Sequence, residues 1–173
     1  MPNTKGDKFA NQAVIVCTES AANTLTFKKL ETGISLFEKV AWLISRIDYF
    51  LHLGTLDLLL GAADAVYCGL TATDQMASLA LTNAAVIDLL YMGFCLRGAA
   101  ASFEIKECMV THDLSTLPSG GIIVPPNPLY GAIVGGSLAA AATITIKIFY
   151  TNYQLSVEEY WELVESRRII SAT

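Results

Sequence analysis

One stretch restricts this chain more than any other. In TITIKIFYT (residues 143–151), Ile144, Ile146, Ile148 and Tyr150 alternate with Thr143, Thr145, Lys147, Phe149 and Thr151. A period of two marks a strand with one face buried and one face wet. The segment just before it points elsewhere. Residues 114–146 carry no charge at all, which invites a membrane reading. A spanning helix, however, needs about 20 unbroken apolar residues. Here Pro118, Pro125, Pro126 and Pro128, with Gly120, Gly121, Gly131, Gly135 and Gly136, break the run and leave only residues 137–146. That remnant is too short, so the run reads as turns leading into a sheet.

The rest of the chain reads the same way. Residues 13–17 (AVIVC), 24–30 (TLTFKKL), 64–70 (DAVYCGL) and 77–81 (ASLAL) are strand candidates, and 102–110 (SFEIKECMV) alternates. Residues 86–96 (VIDLLYMGFCL) suit a buried strand or a short helix. Residues 40–51 (VAWLISRIDYFL) are rich in β-branched and aromatic side chains, which favours strand. In that strand Val40, Trp42, Ile44, Arg46, Asp48 and Phe50 fall on one face, so Arg46 and Asp48 interrupt an apolar row. The proline-rich stretch LPSGGIIVPPNPLYG reads as an ordered turn region or a sheet edge, because proline cannot donate to a ladder.

The chain ends differently. Ser156 and Glu159 form an S-x-x-E capping box. Val157, Tyr160, Trp161 and Val164 follow at helical spacing, with Glu158, Glu162 and Glu165 on other faces. Early Glu158 and Glu159 and late Arg167 and Arg168 complement the helix dipole. A helix over residues 156–169 is expected to dock on its own sheet, with Trp161 as its anchor; docking on a neighbouring subunit is the alternative. Val157, Tyr160, Trp161, Val164, Arg167 and Arg168 are therefore the candidate packing and assembly residues.

Composition limits what such a sheet protein does. At 173 residues the chain suits one domain, 1–173, with residues 1–12 as a flexible N-terminal arm. Hydrophobic residues make up 53% and charged ones 16%, and mean hydropathy is +0.48. That much apolar surface needs a membrane or other protein to cover it. The arm has no apolar signal core. A net charge of −5 argues against strong direct nucleic-acid binding. Cys17, Cys68, Cys95 and Cys108 make no C-x-x-C pair and read as buried free thiols.

Catalytic and metal signatures are missing. His52 and His112 are the two histidines; His112 follows Cys108 by four residues, and two candidate ligands do not make a site. A cupin-type metal centre would need an H-x-H pair with a further Glu and His. Gly135 and Gly136 lack the lysine of a phosphate loop. The aspartates at 48, 57, 64, 74, 88 and 113 are scattered, and no G-x-S-x-G elbow is present. The expectation is no enzyme, no cofactor and no metal.

About eight short strands, a Pro/Gly-rich loop before the last of them and a terminal helix make an all-β expectation. VAWLISRIDYFL, YCGLTATDQMASLALTNAAVID and TIKIFYTNYQLSVEEYWELVESRR resemble capsid (coat) proteins of small icosahedral phages and archaeal viruses, nearest to single-jelly-roll major capsid proteins. The resemblance covers the chain from about Thr24 onward. It implies a single jelly-roll sandwich of antiparallel strands with a short C-terminal α-helix. It also implies a self-assembling virion subunit, made in the host cytoplasm, whose partners are copies of itself and other capsid subunits. An internal membrane or minor virion proteins are further contacts of that class. The arm carries only Lys5 and Lys8, offset by Asp7, so the genome is expected to be held by something other than this arm. A β-sandwich binding module of a virion spike, fibre or adhesin is the rival expectation.

Overall fold

A computed structural model of the chain describes residues 10–34, 38–52, 64–94, 109–125 and 127–171, with backbone alone at 94 and 167–171. Cys95, Cys108, Asp57, the alternation at 102–108 and most of the N-terminal arm lie outside the described residues.

The alternating stretch is β9 (Thr143–Gln154), and it sits inside a sheet rather than at its edge. Its Ile144, Ile146 and Ile148 are fully buried. On one side it pairs with β1 (Asn11–Thr18), on the other with β3 (Val40–His52), both antiparallel. Beyond β3 lie two short strands, β6 (Met109–Asp113) and β7 (Ile122–Val124), paired with different halves of it. A second antiparallel sheet runs in the order β2 (Thr26–Leu30), β8 (Leu129–Gly136), β4 (Asp64–Thr71), β5 (Val86–Phe94). The candidate at 86–96 is thus a strand over its described length.

These pairings nest. β4 pairs with β5, β3 with β6 and β7, β2 with β8, and β1 with β9. Such concentric pairing is a long hairpin rolled up, and the roll closes where β9 meets β3 and β8 meets β4. The result is a jelly-roll sandwich, all-β apart from one helix, α1 (Val157–Ser171). Ile15, Ile47, Ile146, Cys68, Leu70 and Ile133, drawn from both sheets, meet in the core between them.

The interrupted face of β3 has a simple cause. The register slips between Ile44 and Arg46. One extra residue reverses which side chains point inward. Before the bulge Trp42 and Ile44 are buried; after it Ile47, Tyr49 and Leu51 are. Both halves therefore feed the core, and Arg46 and Asp48 turn to the outer face. There Asp48 accepts two bonds from the Arg46 guanidinium at 2.7 Å and one from Thr111 Oγ1 at 2.8 Å.

One expectation changes. Residues 77–81 are not a strand: the connection from Thr71 to Val86 is turns, and Leu81 is 80% exposed. The segment holds no β-branched residue, and Asn83 builds a turn of its own, its Oδ1 accepting from Ala85 N at 2.9 Å. The proline-rich stretch is turns around a short strand. Gly121 (φ 152°) precedes β7, and a Cβ there would run into the Ile44 carbonyl.

One end of the sandwich is tied by a buried carboxylate. Glu19, 4% exposed, accepts from Gly135 N at 2.6 Å and Thr24 N at 3.1 Å through Oε1. Its Oε2 accepts from Ala142 N at 2.8 Å. The end of β1, the β1–β2 turn and both flanks of the β8–β9 turn thus share one anchor. Among the described residues, no helix is long and apolar enough to cross a membrane.

Candidate assembly surface

The helix is pinned before it begins. Leu155 N donates to the Lys39 carbonyl at 3.0 Å, which fastens the connection to the start of β3. Ser156 N then donates to Glu159 Oε2 at 2.9 Å, and Glu159 N to Ser156 Oγ at 3.3 Å. That is the reciprocal capping box the spacing predicts. The bond from Ser156 N, and after it the nearby Ser156 hydroxyl, favour the ionised acid and hold the Glu159 carboxyl below its usual range.

Which face packs is not as expected. Tyr160 is buried, 1% exposed, and burial pushes its hydroxyl pKa up. Trp161 is 59% exposed and Val157 48% exposed; Val164 is half-buried. Glu162, expected to turn away, lines a groove of about 410 Å³ together with Ile123, Tyr153, Leu155, Glu159 and Leu163. The packed side therefore runs through Tyr160 and Leu163, rotated from the stripe the spacing suggests. Trp161 is not the anchor onto the sheet. It stands on the outer side of the helix beside Tyr160, ring centroids 5.8 Å apart. The side chains of Arg167 and Arg168 lie outside the described residues.

A second apolar feature crosses the outer face of the β1–β9–β3–β6 sheet. Register places Val16, Thr145, Phe50 and Met109 in one transverse row. Val16, Phe50 and Met109, with neighbouring Val14, are all exposed. The adjoining rows are polar: Lys147 and Arg46 both lie over the Phe149 ring, at 5.0 and 4.9 Å. Large apolar side chains beside such charged groups suit a protein contact more than a solvent-facing sheet.

Between the sheets lies a polar cluster that the sequence did not reveal. Asp88 on β5 accepts from the Tyr49 hydroxyl at 2.7 Å and lies 2.7 Å from His112 Nδ1. Tyr49 and His112 come from one sheet and Asp88 from the other, so the carboxylate ties the two faces. Burial, then the Asp88 charge, pushes the Tyr49 hydroxyl pKa far up. The Cys68 thiol is pushed to about 12, by burial first and Asp88 second, and burial takes Cys17 to about 11. Both thiols are free, buried and protonated, hence poor nucleophiles. His52 meets Thr145 Oγ1 at 2.6 Å on the outer face, away from this cluster. Among the described residues, no three His, Cys, Asp or Glu side chains gather to hold a metal ion.

No protein-family model matches the chain. No curated protein matches it either. Among solved structures, it is similar to the X-ray crystal structure of tomato aspermy virus. The identity is 11% and the TM-score 0.42, over 86% of this chain and 79% of that one.

Proposed function

We propose that this chain is a structural virion protein, a subunit that assembles with copies of itself into an icosahedral shell. A jelly roll alone does not assign a function, because shells, lectins and cupins share it. The observation that carries the reading is where the large apolar side chains lie. Trp161 and Val157 on the helix, and Val14, Val16, Phe50 and Met109 on one outer face, stand exposed in the free subunit. Two separate sticky faces suit a subunit that meets several neighbours, as a closed shell requires. Glu19 and Asp88, by contrast, are engaged in holding the sandwich together.

The partners of such a subunit are other copies and other capsid proteins, with an internal membrane or minor virion proteins as additional contacts. Its place is the virion. Kinship with phage and archaeal-virus coat proteins is supported by the sequence resemblance. With net charge −5 and two lysines in the first twelve residues, the subunit does not itself neutralise a genome. Negative-stain imaging of the purified protein tests the proposal. Closed shells are expected. Elongated trimers would instead favour the spike, fibre or adhesin reading, and dispersed monomers at high concentration would overturn both.

A further inference from the structure

A sheet edge presents unpaired N–H and C=O groups, and proteins blunt such edges with shortness, charge, proline or inward-pointing acids. Most of the edge strands here carry such a device. β2 has five residues, among them Lys28 and Lys29. β6 ends in His112 and Asp113, while β7 has three residues and runs into Pro125. β5 turns Asp88 inward onto Tyr49 and His112. β1 has none of these. Its eight residues, NQAVIVCT, hold no charge, proline or glycine, and among the described residues it pairs with β9 alone.

The direction of its free backbone groups follows from one hydrogen bond. Glu19 N donates to the Ala142 carbonyl at 3.0 Å, one step past the Thr18–Thr143 pair. Antiparallel ladders alternate, so Cys17, Ile15, Ala13 and Asn11 also bond toward β9. Gln12, Val14, Val16 and Thr18 then direct their N–H and C=O to the open edge. Their side chains are the exposed ones, with Val14 at 50% and Val16 at 52%.

We propose that β1 pairs antiparallel with β1 of a second copy about a two-fold axis at Ile15, joining two sheets edge to edge. Outward-bonding residues must oppose one another. The permitted register that opposes all four of these residues sets Val14 against Val16 of the second copy, and Gln12 against its Thr18. Four valines then cluster on the outer face, and Ile15 meets its own mate on the inner one. The chain carries net charge −5, and none of it lies on this strand, so two copies meet here without like-charge repulsion. One strand pair is small beside the ~1,000 Å² of a stable interface, so the contact is weak alone and strengthens within a larger assembly. This pairing does not depend on the helix surface or on the shell reading.

Amide hydrogen exchange of the full chain, dilute and concentrated, tests it. The amides of Gln12, Val14, Val16 and Thr18 are expected to exchange fast when dilute and at least about ten-fold slower when associated. Those of Ala13, Ile15 and Cys17 are protected in both states. V14K/V16K, which sets lysine against lysine, is expected to abolish that slowing and leave the melting temperature of the dissociated subunit unchanged. Shells that form while the four amides stay fast would overturn the pairing and leave the shell reading standing. Dimers that go no further, with the four amides slowed, would do the reverse. Monomers at every concentration would overturn both.

Discussion

Replacing Glu19 by alanine removes the acceptor for three backbone donors at once, those of Gly135, Thr24 and Ala142. Each donor left buried without a partner costs roughly 1–3 kcal/mol. The three sit at turns, where water reaches some of them after a small shift, so the sum falls to about 3–5 kcal/mol. For a chain of this size each kcal/mol moves the melting temperature by roughly 2–4 °C. Glu19→Ala is therefore expected to melt about 6–20 °C lower than wild type. Glu19→Gln keeps one acceptor oxygen, which serves either the Gly135 and Thr24 pair or Ala142, and sets an NH₂ against what remains. Its expected loss is smaller, about 1–3 kcal/mol. Urea titration and thermal melting of the dissociated subunit, followed by circular dichroism, give both values. If both variants stay within about 0.5 kcal/mol of wild type, as a surface change would, Glu19 does not tie the turns together.

Other outcomes follow from the helix and the polar clusters. Tyr160→Ala is expected to destabilise the subunit by roughly 3–5 kcal/mol in urea titration, whereas Trp161→Ala changes its stability by no more than about 0.5 kcal/mol but impairs assembly in sedimentation. Tyr49→Phe removes the hydroxyl bonded to Asp88 at 2.7 Å, and is expected to cost roughly 1.5–3 kcal/mol by the same titration. The Asp48 carboxyl is held below its usual range, chiefly by its hydrogen bonds with Arg46. A carboxyl depressed in the folded state takes up its proton first in the unfolded chain, so its contribution is present near neutrality and fades below about pH 4. The stability difference between wild type and Arg46→Ala is accordingly expected to shrink as pH falls from 7 to 2, read from melts at each pH.

How much of this was legible depends on whether the signal was periodic. The alternation at Ile144, Ile146 and Ile148 and the box at Ser156 and Glu159 are local patterns, and both stand in the structure as read. The bulge between Ile44 and Arg46 was present in the sequence as a parity conflict, apolar residues on one face before Ser45 and on the other after it. A single break in parity flanked by two apolar half-strands is the sign that would have found it. Glu19 and Asp88 are different. Each acts on groups far away in sequence, Glu19 on residues 116 and 123 positions on and Asp88 on residues 39 and 24 away. A lone acid inside VIDLLYMG signals that a partner exists, without saying which. Trp161 was misplaced because residues one position apart on a helix differ by about 100°. The entry angle set at Lys39 and Leu155, a tertiary contact, decides which of Tyr160 and Trp161 faces in.

Sedimentation velocity over a concentration series distinguishes a shell subunit, as proposed for this jelly roll, from a protein that stays small. Closed assembly is cooperative, so the expected record has two boundaries, free subunit and one species much larger than a trimer. Above a threshold concentration, added protein should enter only the large species. Trp161→Glu should raise that threshold and leave the subunit boundary where it is. A single subunit boundary at every concentration, or growth that stops at a dimer or trimer, would overturn the shell proposal.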